Sequence, residues 1–325
     1  WRDFVLFGES KIDLLKKHDP FSNGIACKDT FACVFSVLDP EAFKSCFVSW
    51  VKSLQSALQD VIAIDGKTLR HSYDKKKRKA AIHRVSAFAV ENGVVLGQIK
   101  VDDKSNEITA IPALLELLDI KGCIVTIDAM DCQEKIAEKI IQKEGDYILA
   151  VKDNQKAVHD EVDDFFKTAC QFNFQDIAHD YFEENHKGHG RVESRRHWIT
   201  DCLDTISKPE RWSSLKSIGM VEAETYIDGK TSIEVRYFIA SIEPDAKIFA
   251  NAVRKHWSVE NQLHWVREDN SRVRRDNAAE NLGVFRHIAI NSLRNEKTCK
   301  KGIKAKRYKA ALQPDYAQVV LNDIF

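Results

Sequence analysis

The sequence is poor in the residues that break or staple chains: its 325 residues include only 13 Gly, 6 Pro and 2 Met. That scarcity excludes collagen-like and low-complexity chains. Eight cysteines are present, but no two stand as C-x-x-C and their spacings are irregular. Zinc sites and disulfide frameworks need clustered thiols, so the cysteines are expected to be reduced and buried, in a cytosolic setting. Long apolar runs are missing as well. The stretch from Phe31 to Leu38 is the longest and falls far short of the roughly 20 residues a spanning helix needs, so no membrane partner is expected. The opening WRDFVLFGES has no initiator Met, basic leader or apolar core, and reads as neither a signal peptide nor a natural start.

Net charge is absent too, with 49 basic and 49 acidic side chains, yet the charges are segregated. From Lys67 to Arg84 eight Lys/Arg face the single acid Asp74, and from Arg267 to Lys309 thirteen face five. Between these blocks, from Asp153 to Asn185, nine acids face only Lys156 and Lys167. Segregated basic blocks point to a polyanionic partner, although any one of them alone would read as a solvated face. With 44% hydrophobic residues the chain can build a real core, and its length suits two domains or one with a large insertion.

The periodicity divides the chain into five parts. Residues 1–60 read as helical, with a short amphipathic pair of turns from Ser10 to His18 and a helix capped by Asp39-Pro40-Glu41 that runs to about Leu58. In residues 61–152 the period changes: VIAID (61–65), IHRVSAFAV (82–90) and VVLGQIK (94–100) are β-rich, and Asn92-Gly93 marks a hairpin. A helix over Glu107 to Leu118, a strand over 123–128, a helix over about 133–143 and a strand over 146–152 follow. The order predicts a mixed α/β sheet in which the last two strands are central and covered on both faces. Residues 153–243 hold an acidic helix near 156–167 and then strand-like runs at 191–200, 218–227 and 231–241, a β-rich insertion. Helices resume over 244–295, from about Asp245 to Trp265 and from Ala278 to Arg294, and residues 296–325 read as a basic tail.

The chemistry lies in where the carboxylates fall. Asp65 ends one apolar run and Asp128 another, so a sheet pairing those strands brings both acids to one edge, where ligands of α/β sheets gather. A single strand-end Asp is more often a turn former, but two suggest a site of hard oxygen ligands for a metal. The best third ligand is Glu260 in AVRKHWSVENQLHW, one helical turn from His256 and from His264; a surface Glu paired with a histidine is the plainer reading.

Seven segments resemble the D-D-E insertion-sequence transposases of the H-repeat-associated, ISAs-type family: AIDGKTLRHSYD (63–74), SNEITAIPALLELLDIKG (105–122), TIDAMDCQEKIAEKI (126–140), YILAVKDNQ (147–155), HGRVESR (189–195), HWSVENQLHW (256–265) and RRDNAAENLGVFRHIAIN (274–291). The resemblance spans nearly the whole chain. It implies an RNase-H-like core with helical termini and a β-rich insertion before the last acid, and a catalytic, metal-binding triad of Asp65, Asp128 and Glu260. It also implies two Mg²⁺ (or Mn²⁺) ions, cleavage of DNA at the ends of an element, and transfer of the freed strand to target DNA. Double-stranded DNA would then be the partner, with the chain acting as a homo-oligomer in the bacterial cytoplasm, at the nucleoid. Lys67, Arg70, Arg191, Arg254, Lys255, His256, Arg267, Arg272, Arg274 and Arg275 are the expected DNA contacts. The tail from Arg272 to Lys309 would hold the duplex with strong salt dependence.

Other readings stay open. A chain that binds DNA without cutting it, or an RNase-H-like nuclease without end specificity, would share most of these residues. Glu193 is a second candidate for the third acid. Asn277 with Glu280 three residues on could form a simple helix cap, and His186 with His189 lacks the companions of a zinc site. Three departures from the family pattern are expected to bear on activity: an N-terminal helical stretch lies before the segment that starts here, about five residues are missing after Trp265, and Asp131 and Asp153 stand where glycine is usual.

Overall fold

The computed structural model describes residues 1–53, 60–68, 83–101, 106–188, 191–259, 262–263 and 273–322. Arg70, His189, Glu260, His264, Arg267 and Arg272 lie outside those residues, as do most of the first basic block and the stretch just after Trp265.

Among the described residues nine strands form one sheet, and the segments whose period changed build it. Strands β1 (Val61–Thr68), β2 (His83–Ala89) and β3 (Val94–Val101) form an antiparallel meander. The β2–β3 turn closes on Asn92 and on Gly93, whose φ of 67° suits glycine. Strands β4 (Ile124–Ile127) and β5 (Asp146–Val151) follow parallel to β1. This 3-2-1-4-5 order is the RNase-H-like arrangement that the resemblance implies. The inserted residues make no separate sheet: β6 (Asp180–Gly188), β7 (Arg191–Thr200), β8 (Ser217–Ile227) and β9 (Lys230–Ala240) continue it, and β9 pairs with β5. An Asp228-Gly229 turn, both residues at positive φ, joins β8 to β9.

Alternation along the strands sorts the two faces. One face buries Ile62, Ile64, Ala87, Ile127 and Leu149 against α5 (Glu107–Leu117), α6 (Glu134–Gln142) and α7 (Lys156–Gln171), which supply Leu114, Ile136 and Phe166. The other packs Val61, Ile148, Phe238 and Ala240 on Phe249 and Ala252 of α8 (Ala246–Val259). Covered on both sides, β4 and β5 can be almost wholly apolar.

The N-terminal part begins with α1 (Arg2–Ser10) and α2 (Ile12–Leu15), so the first helix starts well before the expected Ser10. Its exposed positions include the apolar Leu6 and Phe7 beside Arg2, Asp3 and Glu9, which blurs the inward face formed by Phe4 and Val5. Helices α3 (Lys28–Val37) and α4 (Pro40–Ser53) follow, and Asp39 Oδ1 accepts the Glu41 N–H at 3.0 Å, the cap expected there.

Helix α9 (Ala278–Asn295) seals the outer edge of β3: Asn291 accepts from the Val95 N–H at 2.9 Å and donates to its carbonyl at 3.0 Å. An edge strand covered in this way offers no template for further pairing. Asn277 does not cap α9; its amide reaches the Leu38 carbonyl at 3.4 Å, while Glu280 pairs with Lys44 at 2.7 Å. The simple cap that the spacing also allowed is replaced by tertiary contacts. Arg84, counted above with the basic block, is 1% exposed and donates to the Ala279 carbonyl. Its guanidinium lies so close to Gly283 that an added Cβ would sit 1.8 Å from Nη1. Gly283→Ala is therefore expected to cost about 1–3 kcal/mol, the usual range for overpacking, as measured by urea unfolding with the m-value unchanged.

The basic tail is folded. Helices α10 (Ile303–Leu312) and α11 (Pro314–Leu321) pack on α9 through Leu293, Tyr316 and Val320, and Lys306 is buried. Nor are the cysteines uniformly buried. None of the eight forms a disulfide, but Cys27, Cys33, Cys46 and Cys170 are exposed: Cys27 precedes α3, and the helices that carry the other three turn those positions outward. No described helix is long and apolar enough to cross a membrane.

Candidate active site

Strand register sets the geometry of the two aspartates. In the parallel pair β1–β4, Ala63 lies beside Thr126 and Ile64 beside Ile127, so Asp65 and Asp128 are the next neighbours across the ladder. Adjacent strands are about 4.8 Å apart, and alternation turns both carboxylates to the face that α8 covers. The fourth strand stops there because Asp128 caps the 3₁₀ turn Ala129–Asp131, accepting the Ala129 N–H at 2.7 Å.

Helix α8 brings His256 against this pair. Its Nδ1 lies 3.1 Å from the Thr126 hydroxyl, one step before Asp128 on the same face. Burial holds the imidazole below its ordinary pKa, against the pull of Asp65 and Asp128. Glu260, outside the described residues, directly follows Val259, the buried last residue of α8. Among the described residues no three His, Cys, Asp or Glu side chains gather as a metal site. The described part of the site thus contributes two hard oxygen donors, side by side and on one face, a fit to a divalent cation that lacks only further oxygen ligands.

Beneath the sheet edge, on the opposite face, lies a second acidic group that the sequence did not single out. Glu107, the first residue of α5, sits against Gly66, where a Cβ would meet its carboxylate at 2.0 Å. It bonds His83 Nε2, and His83 Nδ1 in turn meets the Thr68 hydroxyl at 2.8 Å. Asp131 is 6% exposed; burial, then its hydrogen bond to Glu107, raises its carboxyl above the ordinary carboxylate range. Neither Asp131 nor Asp153 has positive φ, so neither position demands glycine. Further support for the Asp128 turn comes from Asn154, which donates to the Ala129 carbonyl at 2.8 Å, and Gln155, which donates to that of Cys132 at 2.9 Å.

The expected DNA contacts are scattered in their surroundings. Lys67 lies two residues past Asp65 on the same face of β1. Arg254 is held by Glu184 at 2.8 Å and lies 2.6 Å from His186; Lys255 pairs with Glu91. Arg191 meets Glu193 at 2.7 Å, and Arg195 meets the same carboxylate, so Glu193 is occupied on β7 and does not join the aspartates. Arg274 and Arg275 precede α9, where Arg275 lies 3.6 Å from Asp276. A cavity opens beside Asp128, lined also by Lys152, His159, Arg236, His256 and Trp257. Lys152 stood in a quoted motif without a role; Arg236 had only strand alternation to mark it.

Residues 56–292 match the family model described as "Transposase DDE domain", and residues 1–51 match "DDE_Tnp_1-associated". The chain is 45% identical over 332 residues to "H repeat-associated putative transposase YhhI" of Escherichia coli K12, covering 99% of this chain and 87% of that one. It is 44% identical over 331 residues to "Putative transposase YncI" of Escherichia coli O157:H7, covering 99% and 84%. A solved piggyBac transposase synaptic complex with hairpin DNA overlays at a TM-score of 0.45 with 10% identity, over 98% of this chain and 71% of that one. With one family model matched over most of its length and near-full-length relatives at this identity, the chain belongs to the DDE transposases, in the H-repeat family of insertion-sequence transposases.

Proposed function

We propose that Asp65, Asp128 and Glu260 are the metal-holding carboxylates of this transposase, and that it cuts DNA at the ends of its element and joins the freed strand to a target. The observation that carries this reading is the placement of Asp65, within β1, beside Asp128, just past the end of the parallel strand β4, under the helix that leads into Glu260. Two like charges so close are stabilised by a shared cation. Asp65, Asp128 and Glu260 would hold the metal, with Asp65 as the ligand common to both ions and Asp128 and Glu260 each serving one. When bound, two Mg²⁺ or Mn²⁺ ions supply Lewis-acid stabilisation of the charge on the attacked phosphate. Of the chain's own residues, His256 is held on Thr126 beside the aspartates on the α8 side, where burial lowers its imidazole pKa and a DNA strand entering the site would meet it.

Lys67, Arg70, Arg191, Arg254, Lys255, His256, Arg267, Arg272, Arg274 and Arg275 contact the DNA backbone in this reading. Arg254 and Lys255 exchange Glu184 and Glu91 for phosphates, which makes binding steeply dependent on salt. Two ends must be joined, so the working unit on DNA is an oligomer, acting at the nucleoid.

Nicking of supercoiled plasmid tests the reading. The chain is expected to nick with Mn²⁺ or Mg²⁺, to stop when the metal is chelated, and to lose activity at least about a hundredfold as Glu260→Gln, since a lost ligand removes several kcal/mol of transition-state stabilisation. Metal-independent nicking, or full activity of the folded Glu260→Gln variant, overturns it.

A further inference from the structure

We infer that Lys152 and Arg236 form a phosphate subsite that holds the DNA strand next to the carboxylates; this deepens the proposed function and rests on it. The placement follows from register. Ile127 lies beside Leu149 in the parallel β4–β5 pair, and Val151 lies beside Tyr237 in the antiparallel β5–β9 pair. The backbone stays extended through Lys152, at φ −145° and ψ −165°. Alternation then turns Lys152 and Arg236 to the same face as Asp65 and Asp128. Four neighbouring strands thus present, in spatial order, Asp65, Asp128, Lys152 and Arg236: two anions, then two cations. One strand spacing of about 4.8 Å separates Asp65 from Asp128 and Lys152 from Arg236; Ala150 is the direct neighbour of Asp128, and Lys152 lies two residues further along β5, so the cations begin roughly 8 Å from Asp128 on the same face. The cavity beside Asp128 is lined by both of them.

Charge explains why the row is needed. Carboxylates repel a polyanion, and bound metal offsets that repulsion only at the phosphate being cut. The neighbouring phosphate of the same strand has to be held by protein cations. Arg236 is built for that: its guanidinium stacks 4.2 Å from the Trp257 ring centroid, and Glu234 fixes it through Nε at 2.8 Å. Stacking and a carboxylate on one edge pre-organise the guanidinium and leave donors on its other edge for a phosphate. Lys152 is exposed and forms no ion pair with a described residue, so it can meet a phosphate without giving up a partner. It opens the K-D-N-Q segment whose Asn154 and Gln155 clamp the Asp128 turn, so the cation and the carboxylate move as one unit.

The test measures affinity for a 30-base-pair duplex across a range of salt without divalent metal, together with Mn²⁺ binding by calorimetry. Lys152→Ala and Arg236→Ala are each expected to lower the log–log salt slope by about one and to weaken binding roughly tenfold, with Mn²⁺ binding unchanged. Lys152→Arg should restore the slope, which a purely structural role would not predict. Lys208→Ala, an exposed cation away from the row, is the control. If both alanine variants match Lys208→Ala while Asp65→Asn still loses Mn²⁺, the subsite is wrong and the metal reading stands. If Asp65→Asn keeps full Mn²⁺ affinity while the two slopes fall, the subsite stands and the metal reading fails.

Discussion

Asp65→Asn and Asp128→Asn, folded and unchanged in melting behaviour, are expected to lose Mn²⁺-dependent nicking by about a thousandfold or more. Each substitution keeps the shape of the side chain and removes only charge, so packing is spared. What goes is half of the adjacent carboxylate pair. A loss of several kcal/mol in transition-state stabilisation is the expected scale for a catalytic metal ligand, and each 1.36 kcal/mol is a factor of ten. The effect should exceed that of Glu107→Gln on the opposite face of the same edge, because Glu107 supports Gly66 and His83 and faces away from the α8 side. Nicking rates with calorimetric Mn²⁺ titrations make the check. Equal losses for Glu107→Gln and Asp65→Asn would move the reacting centre to the α5 face.

The largest stability effect is expected at the C-terminal latch. Glu296 has a side chain with no exposed surface; it accepts the Thr298 N–H at 2.5 Å and the Tyr316 hydroxyl at 2.5 Å, with Lys306 Nζ at 3.3 Å. Lys306 also donates to the Leu293 carbonyl at 2.8 Å, which satisfies the frayed end of α9. Lys306→Met leaves a buried carboxylate short of its cation and is expected to cost about 3–5 kcal/mol. Tyr316→Phe should cost nearer 1 kcal/mol. Hydrogen exchange over residues 297–322 separates release of this segment from global unfolding.

The same latch fixes a pH window. Burial opposes ionisation of Glu296, but hydrogen bonds from Thr298, Tyr316 and Lys306 outweigh it and hold the carboxyl down at about 2. A depressed folded value means that the ionised form stabilises the fold. That contribution is complete above the unfolded value of about 4.3 and is lost as pH falls towards 2. Glu296→Gln should therefore flatten the stability profile between roughly pH 4.5 and 2, read from urea midpoints.

Much of this was legible in the residues. VIAID, CIVTID and DYILAVK read as strands because apolar runs of that length, closed by polar residues, have few other fates, and Asn92-Gly93 allowed only a hairpin. That two such apolar runs close on Asp was enough to set Asp65 beside Asp128, although β1 itself continues past Asp65 to Thr68. Strand β6 was not legible: DYFEENHKG is an outermost strand with mostly exposed side chains, so it carries almost no apolar alternation. Pairing of β5 with β9 was hidden too, since no local pattern records which distant strand fills an edge. The C-terminal lysines read only as a basic tail because charge counts cannot tell Lys306, buried under α9, from its exposed neighbours. Lys152 and Arg236 are ordinary residues one at a time; only the register places them in a row with the acids.

Because β9 docks on β5 only after three other strands have been made, the order of synthesis has a consequence for how the protein matures. A nascent chain that has finished β5 holds an open, apolar strand edge and must keep it open while β6, β7 and β8 emerge. Long-range strand pairing of this kind is slow and leaves the half-made sheet prone to association with its own copies. The yield of native protein is then expected to depend on how quickly the β8–β9 hairpin with its Asp228-Gly229 turn closes the gap.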